Sequence, residues 1–147
     1  MHPDWVRRHL SDEDLEAIAR AVASAEQLTS GQVRVHLEDR CVGDPLAHAS
    51  RTFRQIGMDR TRLRNGVLLY LALDDHRFAV LGDSGIHERV GAGFWDSVRD
   101  ALQGELKAGR MRDGIVAAVL EIGRVLGQHF PDRPDDVNEL TDSVSLG

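Results

Sequence analysis

Seven apolar residues in unbroken succession, Val67-Leu68-Leu69-Tyr70-Leu71-Ala72-Leu73, constrain this chain more than any other feature. A strand with one wet face alternates apolar and polar residues, so an unbroken run of this length reads as a strand covered on both faces. Polar residues bracket it: Arg64-Asn65-Gly66 before, Asp74-Asp75-His76-Arg77 after. The fold must therefore supply one layer above this strand and another below it.

The flanking segments supply that cover. Ser11 precedes Asp12, Glu13 and Asp14, an N-cap followed by acids at the positive end of a helix. Leu15, Ile18, Ala19, Val22 and Ala23 give that helix an apolar face until Thr29-Ser30-Gly31 breaks it. Val33, Val35 and Leu37 then alternate with Arg34, His36 and Glu38, which predicts a strand with one covered face and His36 on the solvent side. Asp44-Pro45 starts a second helix with Leu46, Ala49, Phe53 and Ile56 along its apolar stripe. Strand, helix and strand in that order predict two parallel strands. Phe78-Ala79-Val80-Leu81 returns antiparallel beside the buried strand after a tight turn. Residues 86–90 fit either a short edge strand or a turn. Trp95, Val98, Leu102 and Leu106 mark a third helix, with Trp95 in the core, and a fourth runs from about 112 to 128 before Pro131 and Pro134. The expected fold class is α/β: a three-layer α/β/α sandwich with a small mixed sheet, two parallel strands plus an antiparallel hairpin partner, and about four helices. Residues 1–131 form one domain in this reading, and 132–147 form an acidic, flexible tail.

Charge and composition limit the function classes. A net charge of −6 argues against non-specific nucleic-acid binding. Charge is uneven, with Arg51, Arg54, Arg60, Arg62 and Arg64 clustered in the middle and acids crowding the C-terminal stretch. The arginines form either a solvated face or a docking face for an anion or acidic partner. Cys41 is the only cysteine, so no internal disulfide forms, which fits a reducing compartment. The first ten residues carry Asp4, Arg7, Arg8 and His9 rather than an apolar leader, and the longest apolar run is far short of the roughly 18 residues of a spanning helix. A cytoplasmic protein without a membrane span is expected.

Strand directions sort the polar residues to two ends of the sheet. Glu38, Asp39, Asp74, Asp75, His76 and Arg77 belong at the carboxyl end of the parallel strands, where open α/β sheets bind ligands. Two readings stand there. Asp74 and Asp75 can hold Ca²⁺ or Mg²⁺, with Glu38, Asp39 and Arg77 completing a metal or phosphate site; or the segment is a plain hairpin turn whose acids bind local backbone. Thr29, Ser30, Gln32, Arg64, Asn65, Asp83, Ser84 and His87 belong at the opposite end. There Ser30, Arg64, Asn65, Asp83 and Ser84 form a candidate anion or ligand site, or the glycines and Asn65 merely serve turns. Asp83, Ser84 and His87 lie close in sequence, which does not make a catalytic triad. No cofactor is required by any motif; glycines 91 and 93 lack the strand–helix context of a dinucleotide site.

With these residues in view, the chain resembles the TPM family, the small domain of thylakoid-lumen and photosystem II repair proteins, and in particular its short bacterial members. Ser30-Gly31, the Asn65-Gly66-Val67-Leu68-Leu69 lead-in, Asp75 and Arg77 at the turn, and Gly82-Asp83-Ser84-Gly85 carry the likeness. Phe94-Trp95 and the stretch 109–114 add to it. The resemblance implies an α/β/α sandwich and, for plant members, acid phosphatase activity with a divalent cation. For bacterial members it implies upkeep of membrane proteins and partners of the LemA type or other TPM proteins. Gln32 stands where many relatives have glutamate, and Asp83-Ser84 where many have tyrosine. The expectation is a stand-alone binding module for a protein partner or small anion in membrane or envelope maintenance. The alternative is a weak cation-dependent acid phosphatase.

Overall fold

The structure, a computed structural model, describes residues 2–89, 93, 95–131 and 144–146. Four strands, β1 (Gln32–Glu38), β2 (Gly66–Ala72), β3 (Arg77–Gly82) and β4 (Val144–Leu146), form one sheet in the order β3-β2-β1-β4. β1 runs parallel to β2 and to β4, and β3 runs antiparallel to β2. Among the described residues six helices accompany them: α1 (Asp4–Arg7), α2 (Asp12–Glu26), α3 (Pro45–Gln55), α4 (Ser84–His87), α5 (Asp96–Lys107) and α6 (Met111–His129).

The sheet is covered on both faces, as β2 requires. All seven of its residues are buried. Val67, Leu69, Leu71 and Leu73 join Val33, Val35 and Leu37 against α2, α5 and α6. Leu68, Tyr70 and Ala72 point the other way, toward Ala49 and Phe53 of α3 and Met58 of a short 3-10 turn. The three-layer mixed α/β class is thus correct. The Ser11 cap is a full capping box, with Ser11 and Asp14 each bonding the other's backbone. Gly123 of α6 lies so close to α2 that an added Cβ would stand 2.7 Å from Ala25, so glycine is what allows these helices to touch.

Four expectations change. Of residues 86–90, expected as an edge strand or a turn, 86–87 complete the short helix α4, which the Asp83 side chain caps by accepting the Ser84 N–H at 2.7 Å, and 88–89 are turn. Residues 90–92 lie outside the described residues. The stretch assigned to the tail contains β4, whose Val144 and Leu146 pair with Val35 and Leu37 of β1; residues 132–143 lie outside the described part. His36 is not on a solvent face: it is 5% exposed, held between Ser145 of β4, the Tyr70 ring and Glu38. Leu46 leaves the buried stripe of α3 and stands 49% exposed, facing a groove it lines together with residues 78–82 of β3.

Candidate functional site

At the turn end, the fold brings together the five candidate-site residues Glu38, Asp39, Asp74, Asp75 and Arg77 but turns their side chains to partners outside the group. The β1/β2 ladder continues past the strands, with Leu73 donating to the Glu38 carbonyl and Asp74 to that of Asp39. Both Asp74 oxygens face α1's exit: Oδ2 lies 2.8 Å from Arg8 Nη2 and Oδ1 2.7 Å from His9 Nε2. The bond to His9, then that to Arg8, hold the Asp74 carboxyl below its ordinary value. Asp75 accepts the Cys41 N–H at 2.7 Å, and Arg77 donates to the Cys41 carbonyl at 3.2 Å, so the two clamp one residue's backbone. Asp39 accepts the N–H of Arg40. Glu38 lies 3.1 Å from His36 Nε2. Among the described residues no three His, Cys, Asp or Glu side chains gather so as to hold a metal ion. As placed, Asp74 and Asp75 do not fit a cation cage.

The opposite end is likewise internally bonded. Arg64 sits at φ 51°, a left-handed conformation, and its guanidinium grips Asp83 through two bonds of 2.8 and 3.0 Å. That pair raises the Arg64 pKa further above its ordinary value. Asp83 also caps α4. Gly85 donates to the Arg64 carbonyl, and a Cβ on Gly85 would lie 2.1 Å from the Leu63 oxygen, so the close backbone approach is what demands glycine here. Asn65 reaches Ser30 at 3.4 Å, while Thr29 binds the Phe130 carbonyl and the N–H of Gly31. Ser84 is exposed and joins this end through its backbone alone; the side chain of His87 lies outside the described part. Gln32 keeps a buried side-chain oxygen without a hydrogen-bond partner among the described residues.

Two features escaped the sequence. One is a buried polar chain on the α3 face: Ser145 Oγ lies 2.8 Å from His36 Nδ1, and His36 stacks on Tyr70 with ring centroids 6.0 Å apart. Burial, aided by the negative charge of Glu38, pushes the Tyr70 phenol above its ordinary pKa. This chain ties β4 to β1; only knowing that the tail returns as a strand would have revealed it. The second is a groove of about 450 Å³ along β3's outer edge, walled by Pro45 and Leu46 on one side and by Trp95 and Arg99 on the other, with Phe78 to Gly82 as its floor. Residues 109–113 of the resembling stretch line a smaller polar hollow of about 290 Å³, where Arg110 pairs with Glu105 and Arg112 with Asp113.

The family model described as the TPM domain matches residues 7–125. The chain belongs to the TPM domain family. Its fold overlies the BA42 protein of the psychrophilic bacterium Bizionia argentinensis with a TM-score of 0.88 at 40% identity, over 94% of this chain and 95% of that one. Two other bacterial domains share the fold. The N-terminal domain of the Corynebacterium glutamicum cg2496 protein matches at 14% identity, TM-score 0.62, over 92% of this chain and 79% of that one. An N-terminal domain from P. gingivalis matches at 21% identity, TM-score 0.65, over 83% and 79%. No curated protein matches. Among the described residues of this TPM domain, no helix is long and apolar enough to cross a membrane.

Proposed function

We propose that this TPM domain is a binding module for a protein partner. The observation that supports the reading most is the contrast between the groove and the sheet ends. The groove is floored and walled mainly by apolar side chains (Leu46, Phe78, Val80, Leu81, Trp95), the character of a macromolecular contact. The charged residues at both ends spend their hydrogen bonds inside the fold. A small-anion site at Arg64 has less support, because Asp83 already neutralises that guanidinium. A cation-dependent phosphatase using Asp74, Asp75 and Arg77 has less support for the same reason. Resemblance to the family favours a role in membrane or envelope protein upkeep, with a LemA-type or second TPM protein as the candidate partner, in the cytoplasm.

Site-specific photo-crosslinking tests the reading. A crosslinker replacing Leu46 at the groove should capture one discrete polypeptide in cells, and one replacing Leu120, 41% exposed on α6, should not. Equal products at both positions, or none at Leu46, contradict the binding reading. Magnesium- or calcium-dependent hydrolysis of p-nitrophenyl phosphate that disappears in the Asp74→Asn/Asp75→Asn protein would restore the enzymatic alternative.

A further inference from the structure

β3 is an edge strand: among the described residues it is hydrogen-bonded only to β2. Its register fixes which backbone groups remain open. Asp83 donates its N–H to the Gly66 carbonyl, so Asp83 and Gly66 are a bonded pair of the antiparallel ladder. Bonded and non-bonded pairs alternate, so Leu81 with Leu68, Ala79 with Tyr70 and Arg77 with Ala72 face one another through the ladder. The N–H and C=O groups of Phe78, Val80 and Gly82 therefore point away from β2, into the groove.

Edges of this kind are normally blunted by charge, proline or a bulge, because an open ladder pairs with whatever strand arrives. Apart from Arg77 at its start, whose guanidinium is turned to the Cys41 carbonyl, β3 has none of these devices: its register with β2 is continuous and residues 78–82 carry no charge or proline. Its side chains are apolar on both faces: Phe78 and Val80 lie toward the α5–α6 core, Ala79 and Leu81 toward α3. The walls that overhang the edge are apolar too, and the charges among them are engaged locally. Asp44 caps α3 through the Leu46 N–H, and Arg99 pairs with Asp96 at 3.6 Å.

We propose that the outer edge of β3 takes an extended, uncharged segment of a partner polypeptide as a fifth strand, lying between the starts of α3 and α5. The open ladder demands an extended backbone, and the two apolar walls demand apolar side chains on both faces of the incoming segment. Six residues of β3 offer about 20 Å of strand. This inference rests on the protein-binding reading and gives it a location, a mode and a partner chemistry.

The test is an NMR titration of the full, ¹⁵N-labelled chain with a synthetic peptide that has a valine/alanine core and lysine ends for solubility. The amides of Phe78, Val80 and Gly82 should shift and exchange at least about tenfold more slowly on binding, while those of Ala79 and Leu81, already in the ladder to β2, change less. Methylating one alternate set of peptide amide nitrogens should weaken binding at least about tenfold, and methylating the other set should not. Ala79→Glu, placed on the groove floor and half-buried against α3, should abolish binding while the free protein keeps a folded amide spectrum at a lowered melting temperature, and Ala79→Val should retain binding. Shifts confined to another surface, or equal tolerance of both methylated sets, overturn strand addition and leave the protein-binding reading standing. So does an inert peptide if crosslinking at Leu46 persists; with crosslinking lost as well, both fall. Slow exchange of the three amides in the free protein overturns the proposal too. Dependence on protein concentration would then assign the edge to a second copy, and independence to the chain's own residues.

Discussion

β2 and β3 are hydrogen-bonded neighbours of almost equal length and similar apolar character, but they live in different surroundings. β2 has a helical layer on each face and a strand on each edge, and every residue is buried. β3 has apolar contacts on both faces and, among the described residues, one strand partner, and only Val80 and Gly82 of its six residues are buried. The difference shows that an apolar run reports cover on the faces of a strand and is silent about its edges. The position in strand order decides whether such a strand is finished core or an unfilled place.

Truncations in the two strands put this contrast to the largest test. Leu69→Ala on β2, fully buried, should cost about 2–5 kcal/mol in urea unfolding. Leu81→Ala on β3, half-buried, should cost about 1–2 kcal/mol. Equal losses would mean that β3's outer surface is as enclosed as β2's. Gly85→Ala forces a Cβ onto the Leu63 and Arg64 carbonyls and should cost about 1–3 kcal/mol by the same measurement. An unchanged midpoint would show that the exit of β3 is not held against the lead-in to β2. Asp83→Ala removes the α4 cap and the Arg64 pair, for about 1–2 kcal/mol, and Arg64→Ala should cost less because that side chain is half exposed. The reverse order would make the ion pair, not the cap, the holder of this end.

The smallest effect concerns the other end of β3. Asp74's carboxyl is lowered in the folded state by His9 and Arg8, so it stabilises the fold above its ordinary pKa and that contribution disappears as pH falls through the lowered value. Asp74→Asn should therefore reduce stability near pH 6 and leave it little changed near about pH 2, flattening the acid limb of a urea-midpoint profile. A variant that loses the same amount at both pH values would show that the carboxylate charge is not what ties α1 to the turn.

The layered fold was legible because the signals are local: the run at 67–73, the period-two pattern at 33–37, and the Ser11 and Asp44 caps. What escaped was long-range. His36 sits at a polar position of an alternating strand, and only the return of residues 144–146 beside β1 buries it. The Val144-Ser145-Leu146 alternation was a signal for that strand, but three residues among acids read as tail. Asp74 meets Arg8 and His9 more than sixty positions away, so its engagement had no local sign. Asp83 and Ser84 drew attention as a possible site, whereas Asp-Ser-Gly is also an N-cap sequence, and the fold uses Asp83 as one. The β3 groove could not be read at all without the strand order that leaves β3 outermost.

Residue-resolved amide exchange on the free protein tests the central claim most directly. An open β3 edge predicts alternation along the strand, with Phe78, Val80 and Gly82 exchanging much faster than Ala79 and Leu81, and β2 uniformly slow. Uniform protection along β3, matching β2, would contradict it.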